Sequence, residues 1–122
     1  MRASSLPHLA SQERRAIDQY VACIRDRFPG RILSVALFGS KARGDADTES
    51  DIDLIVLVDS EDSEFRSELW RIASDLSLEH NVVLSVRVYA QDRWAEAKRI
   101  HLPFSCAIAA DCIPLTPELA SV

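Results

Sequence analysis

Residues 37–58 read LFGSKARGDADTESDIDLIVLV, and the punctuation of this stretch decides the fold. An apolar run, Ile32 to Phe38, ends in Gly39-Ser40 and passes into a basic, glycine-containing turn. Ten residues separate Ser40 from Asp51, and Asp51-Ile52-Asp53 opens a second apolar run, Leu54 to Val58. Both runs are short, rich in aliphatic and β-branched residues and bounded by turn formers, which predicts two buried strands. Residues two apart in a strand share a face, so Asp51 and Asp53 point the same way. Neighbouring carboxylates repel unless a cation lies between them. A hard divalent ion such as Mg2+ suits oxygen ligands and leaves positions for phosphate oxygens. Antiparallel pairing of the two strands would bring the serine turn and the aspartates to the same end of the sheet.

The turn supplies the complementary half of an anion site. Gly39 permits a sharp backbone turn and close approach, and Ser40 is expected to cap the short segment Lys41 to Arg43 and to offer its hydroxyl and amides to a phosphate. Lys41 and Arg43 add positive charge that complements a triphosphate. Gly39, Ser40, Lys41 and Arg43 are therefore the candidate nucleotide-binding residues, with Asp51 and Asp53 as the metal-binding and catalytic pair.

Gly39-Ser40, ten residues, then Asp51-Ile52-Asp53 resembles the minimal signature of the DNA polymerase beta nucleotidyltransferase superfamily. Ala42-Arg43-Gly44 and Ser50-Asp51 extend the resemblance to the small MNT-type nucleotidyltransferases, many of which are antitoxins paired with HEPN ribonuclease toxins. The resemblance implies an α/β, small mixed-sheet, polymerase beta-like fold with flanking helices. It implies Mg2+ as cofactor, ATP as substrate, and transfer of AMP to a hydroxyl of a protein partner, a HEPN-type toxin. Two alternatives stand beside it: a degenerate antitoxin that acts by binding its toxin, and a small-molecule enzyme of the aminoglycoside-modifying kind. In the resembled superfamily a further strand carries a third acid facing the aspartate pair. The corresponding strand here offers Ser85 or Arg87 instead, which implies a greater loss for chemistry than for nucleotide binding.

The 122 residues predict one domain, 1–122, with a flexible N-terminus over 1–10 and a tail over 114–122. Hydrophobic residues at 48% and charged residues at 27% are ordinary globular values, and no apolar stretch approaches a membrane span. The cytoplasm is the expected location. A net charge of −5 argues against a broad nucleic-acid footprint. Cys23, Cys106 and Cys112 have no metal-ligand spacing and read as reduced core or interface residues. Four helices and a third strand complete the expectation. Ser11 caps a helix running to about Phe28, with Ile17, Tyr20, Val21, Ile24 and Phe28 on its apolar stripe. A second helix opens at Ser60 and carries Phe65, Leu69, Ile72 and Leu76, with Trp70 on its flank. Asn81 to Tyr89 is the third strand of a three-stranded core sheet, Gln91 to His101 a helix, and Phe104 to Ile113 a last short helix packing on the sheet or on a second chain.

Overall fold

The computed structural model describes residues 9–44, 51–60 and 62–115. Helix α1 (Ser11–Arg27) leads to strand β1 (Ile32–Phe38), a single helical turn α2 (Ser40–Arg43) and strand β2 (Ile52–Val58). Helix α3 (Ser63–His80), strand β3 (Leu84–Ala90), helices α4 (Gln91–Arg99) and α5 (Pro103–Asp111), and a short strand β4 (Ile113–Pro114) follow. The sheet has the order β3-β2-β1-β4. β1 and β2 are antiparallel, as expected, with Phe38 opposite Asp53, while β2 and β3 run parallel, with Asp53 abreast of Ser85. A parallel pair needs a crossover, and α3 is that crossover.

Alternation along β2 splits the core in two. Ile52, Leu54, Val56 and Val58 face α1 and α3 in the larger cluster with Ile17, Tyr20, Ile24, Phe65, Leu69 and Ile72. Ile55 and Leu57 face the other way and pack with Ala36, Trp94 and Ile108 from β1, α4 and α5. Asp53 belongs by alternation to this second face, on which α4 and α5 pack, and lies at the end where β1 stops and β2 and β3 begin. Tyr20 crosses the larger core and donates its hydroxyl proton to the Leu69 carbonyl at 2.9 Å, a bond that burial makes hard to replace with water. Burial of that ring also pushes the phenol well above its ordinary pKa.

Several boundaries differ from the sequence reading for local reasons. Ala10, not Ser11, is the cap of α1, because the Glu13 side chain reaches back to accept the Ala10 amide at 2.8 Å. Asp62, not Ser60, caps α3 by accepting the Phe65 amide at 2.9 Å; Ser60 is held instead by Arg31. Asn81 ends α3 in the left-handed region with φ 57°, so β3 starts later than expected, at Leu84. The expected tail from residue 114 begins instead with a fourth strand: Pro114 pairs with Ala36 and Ile113 with Leu37. Proline fits there because it sits on a sheet edge, where its missing N–H breaks no ladder. Residues 116–122 and 1–8 lie outside the described residues, and Leu9 packs into the larger core. Cys23 and Cys112 are half-buried and Cys106 is exposed, so Cys106 is not a core residue.

The largest departure is Lys41. Its side chain is buried, with the ammonium 2.6 Å from the equally buried Glu13 carboxylate. Removing one partner of a buried pair strands the other without water, which costs about 3–5 kcal/mol. Lys41→Met should therefore lower unfolding free energy by that order in urea titration, and Glu13→Leu added to Lys41→Met should recover most of the loss. A fully additive double variant would contradict a direct buried pair.

Candidate active site

Gly39 closes β1 with φ 78° and ψ −158°, a conformation suited to glycine. The second reason for glycine lies across the sheet. A Cβ at residue 39 would collide with the Asp53 carboxylate, meeting Oδ2 first and lying 3.2 Å from Cγ. The turn and the carboxylate therefore touch only because residue 39 has no side chain. Gly39, not Ser40, is the cap of α2, and its carbonyl accepts the amides of both Ala42 and Arg43 at 3.1 and 3.0 Å. Ser40 is the first helical residue, half-buried, and the first amides of a helical turn have no acceptor within it. Gly44 ends the turn in the left-handed region at φ 84°.

Asp51 is exposed at the mouth of β2, and the Ile52 amide fastens that mouth to the Val83 carbonyl at 2.8 Å. Partial burial and then the neighbouring charge of Asp51 hold the Asp53 carboxyl above its ordinary pKa, while Arg87 and Arg43 act in the opposite sense. Four of the residues expected at the site are thus close together: Gly39 against Asp53, Asp51 beside it, and Arg43 within electrostatic reach. Lys41 is turned away into its pair with Glu13. Ser85 occupies the position abreast of Asp53, so the residue on β3 facing the aspartates is a serine and not an acid. Among the described residues no group of three or more His, Cys, Asp or Glu side chains could hold a metal. The two carboxylates still fit a hard divalent cation, since they repel one another on one open face and supply oxygen ligands only.

Sequence reasoning missed Glu13, although its place was legible: Glu13, Ile17, Tyr20 and Ile24 recur at helical spacing, so an acid lies on the core stripe and needs a buried partner. It also missed Phe104, which stands edge-on to Phe38 at 6.5 Å and carries the Arg87 guanidinium 4.8 Å above its ring. Nothing in the local pattern relates α5 to the end of β1. His101 is exposed and lies just beyond the end of α4.

A mixed sheet in which the glycine turn after β1 is pressed against an aspartate of β2 at the strand ends is the nucleotidyltransferase-type fold that the resemblance implied. The comparisons agree: residues 17–115 match the family model described as nucleotidyltransferase domain, and the chain belongs to that family. It is 35% identical over 80 residues, 66% of this chain and 76% of the relative, to "Putative protein adenylyltransferase MJ0604" of Methanocaldococcus jannaschii. A second protein of that organism with the same description, MJ0141, is 41% identical over 56 residues, 45% of this chain and 57% of the relative. Among solved structures, a nucleotidyltransferase-like protein of Sulfolobus solfataricus shares the fold at TM-score 0.56 and 20% identity, over 85% of this chain and 81% of that one. A chain of a toxin–antitoxin structure with AMP-PNP matches at TM-score 0.54 and 23% identity, over 88% and 73%. A chain of the tri-AMPylated Shewanella oneidensis HEPN toxin in complex with MNT antitoxin matches at TM-score 0.50 and 21% identity, over 84% and 71%. No helix among the described residues is long and apolar enough to cross a membrane.

The raised Asp53 carboxyl gives a signed expectation. Its protonated form is favoured in the fold, a stabilisation present in acid and lost as pH rises through the folded-state pKa. At neutral pH with chelator, Asp53→Asn should raise the melting temperature, and added Mg2+ should raise that of the wild type but not of the variant. A variant that melts lower in chelator would contradict the repulsion.

Proposed function

We propose that this protein transfers AMP from ATP to a hydroxyl of a protein partner, releasing pyrophosphate, and that the partner is a HEPN-type toxin. The observation that supports the reading is the contact between Gly39 and the Asp53 carboxylate, which brings the glycine-serine turn and the aspartate pair to one strand end. Gly39 and Ser40 hold the terminal phosphates through backbone amides and the Ser40 hydroxyl. Asp51 and Asp53 hold Mg2+, which when bound offsets phosphate charge. Arg43 and Arg87, whose charges both reach Asp53, would oppose the negative charge that accumulates as pyrophosphate departs. The acceptor oxygen attacks the α-phosphorus, the bond to the β-phosphate oxygen breaks, and the acceptor proton passes to water. Lys41 has a structural role in this reading, fixing α2 to α1 through Glu13.

The protein relatives described as adenylyltransferases support a protein acceptor, and the fold shared with MNT–HEPN and AMP-PNP-containing structures is consistent with the partner and the nucleotide. One observation favours a second reading, a toxin-binding module without turnover: Ser85 stands abreast of Asp53 where the resembled superfamily places an acid. The intact mass of a co-purified HEPN partner separates the two. After incubation with ATP and Mg2+, the partner should gain the mass of AMP with wild-type protein, and this gain should vanish with Asp53→Asn. Inhibition of the partner without mass gain, unchanged in Asp53→Asn, would overturn the transfer reading.

A further inference from the structure

Alternation along β3 sets the direction of Ser85. Leu84, Val86 and Val88 pack with the larger core, while Tyr89 packs against Trp94 on the second face with ring centroids 5.3 Å apart. Ser85 and Arg87 share the parity of Tyr89 and so belong to the second face, the face of Asp53. In the parallel pair of β2 and β3, Ser85 is directly abreast of Asp53. Adjacent strands lie about 4.8 Å apart, which puts a hydroxyl beside that carboxylate with no residue between them. Ser85 is half-buried and lines a cavity of about 360 Å³ along the outer edge of β3, so a group attached to its oxygen has space to occupy. Ser77 and Ser105 donate their hydroxyl protons to backbone carbonyls, whereas the Ser85 hydroxyl has no hydrogen-bond partner among the described residues.

We propose that Ser85 is a site of self-adenylylation: with no partner present, the chain transfers AMP from ATP to its own Ser85 hydroxyl. The inference rests on the AMP-transfer reading for its chemistry and needs no partner for its acceptor. Ser85 Oγ attacks the α-phosphorus, the bond from that phosphorus to the bridging oxygen of the β-phosphate breaks, pyrophosphate leaves, and the hydroxyl proton passes to water. Position singles out Ser85 among the described hydroxyls. Ser40 opens α2 next to Gly39 on the β1 side, where the reading puts the terminal phosphates and therefore the leaving group. Tyr89 shares the face of Ser85 but stands abreast of Leu57, four residues beyond Asp53 along β2. A hydroxyl held on the same chain meets the bound nucleotide at an effective concentration that a free acceptor does not reach, so an unactivated serine can compete with water. Arg87, the next residue of β3 on that face, has its guanidinium 4.8 Å from the Phe104 ring centroid and brings positive charge to the same side. The adduct occupies the acceptor side of Asp53, so the reaction stops at one AMP.

The test uses the purified full chain with ATP and Mg2+ and no other protein. Its intact mass should rise by one AMP and no further. Fragmentation of the tryptic peptide 72–87 should place the AMP on Ser85 and not on Ser74 or Ser77, which the same peptide contains. Ser85→Ala should abolish the gain, and Ser85→Thr, which keeps a hydroxyl and suits a strand, should retain it. Melting temperatures close to that of the wild type check that both variants are folded. Asp53→Asn should abolish the gain as well. The first-order rate constant should not change when the protein is diluted about tenfold, because nucleotide and acceptor are held by one chain. AMP on any other residue, a gain that survives in Ser85→Ala, or a rate constant that falls on dilution would each overturn the inference. An unmodified chain beside a HEPN partner that gains AMP would overturn it and leave the transfer reading standing, whereas modification of neither chain would contradict both.

Discussion

The contact between Gly39 and Asp53 is the constraint on which the site depends. Two antiparallel strands place Phe38 opposite Asp53, and the next residue of β1 must then pass within van der Waals distance of a carboxylate. Any side chain at residue 39 would push that carboxylate away or unwind the turn, and the positive φ adds a separate penalty for residues other than glycine. With glycine the chain doubles back over the aspartate and begins a helical turn there. In the proposed reading a phosphate-facing turn and a metal-facing carboxylate thereby share one strand end.

Holding that turn in place is a second task, given to a buried ion pair. A one-turn helix of four residues cannot persist by its own hydrogen bonds. Lys41 reaches beneath it to Glu13, and Glu13 in turn accepts the Ala10 amide, so a single carboxylate ties the start of α1 to the turn after β1. The cation expected to face a triphosphate is instead the one that fastens the turn to α1. The positive charge beside Asp53 comes from Arg43 on the turn and Arg87 on β3, the latter ordered by the face of Phe104.

The elements with a regular apolar period were legible in the sequence. β1, the stripes of α1 and α3, and the antiparallel pairing of β1 with β2 follow from local alternation and helical spacing, and the Gly-Ser and Asp-x-Asp positions follow from the ends of those runs. What escaped depends on contacts far apart in the chain. The Lys41–Glu13 pair spans 28 residues, and a lysine in a basic turn looks solvated until an acid on a core stripe is matched to it. Phe104 reaches the site from α5, and β4 is a two-residue edge strand with no period to detect.

The central claim is that the aspartate pair and the glycine turn form one nucleotide site through a divalent cation. Isothermal calorimetry with ATP, with and without Mg2+, on the wild type and on Asp51→Asn combined with Asp53→Asn tests it most directly. Binding that requires Mg2+ and disappears in the double variant is the predicted result. Equal affinity in all four conditions would contradict the account and reduce the aspartates to the polar entrance of a strand.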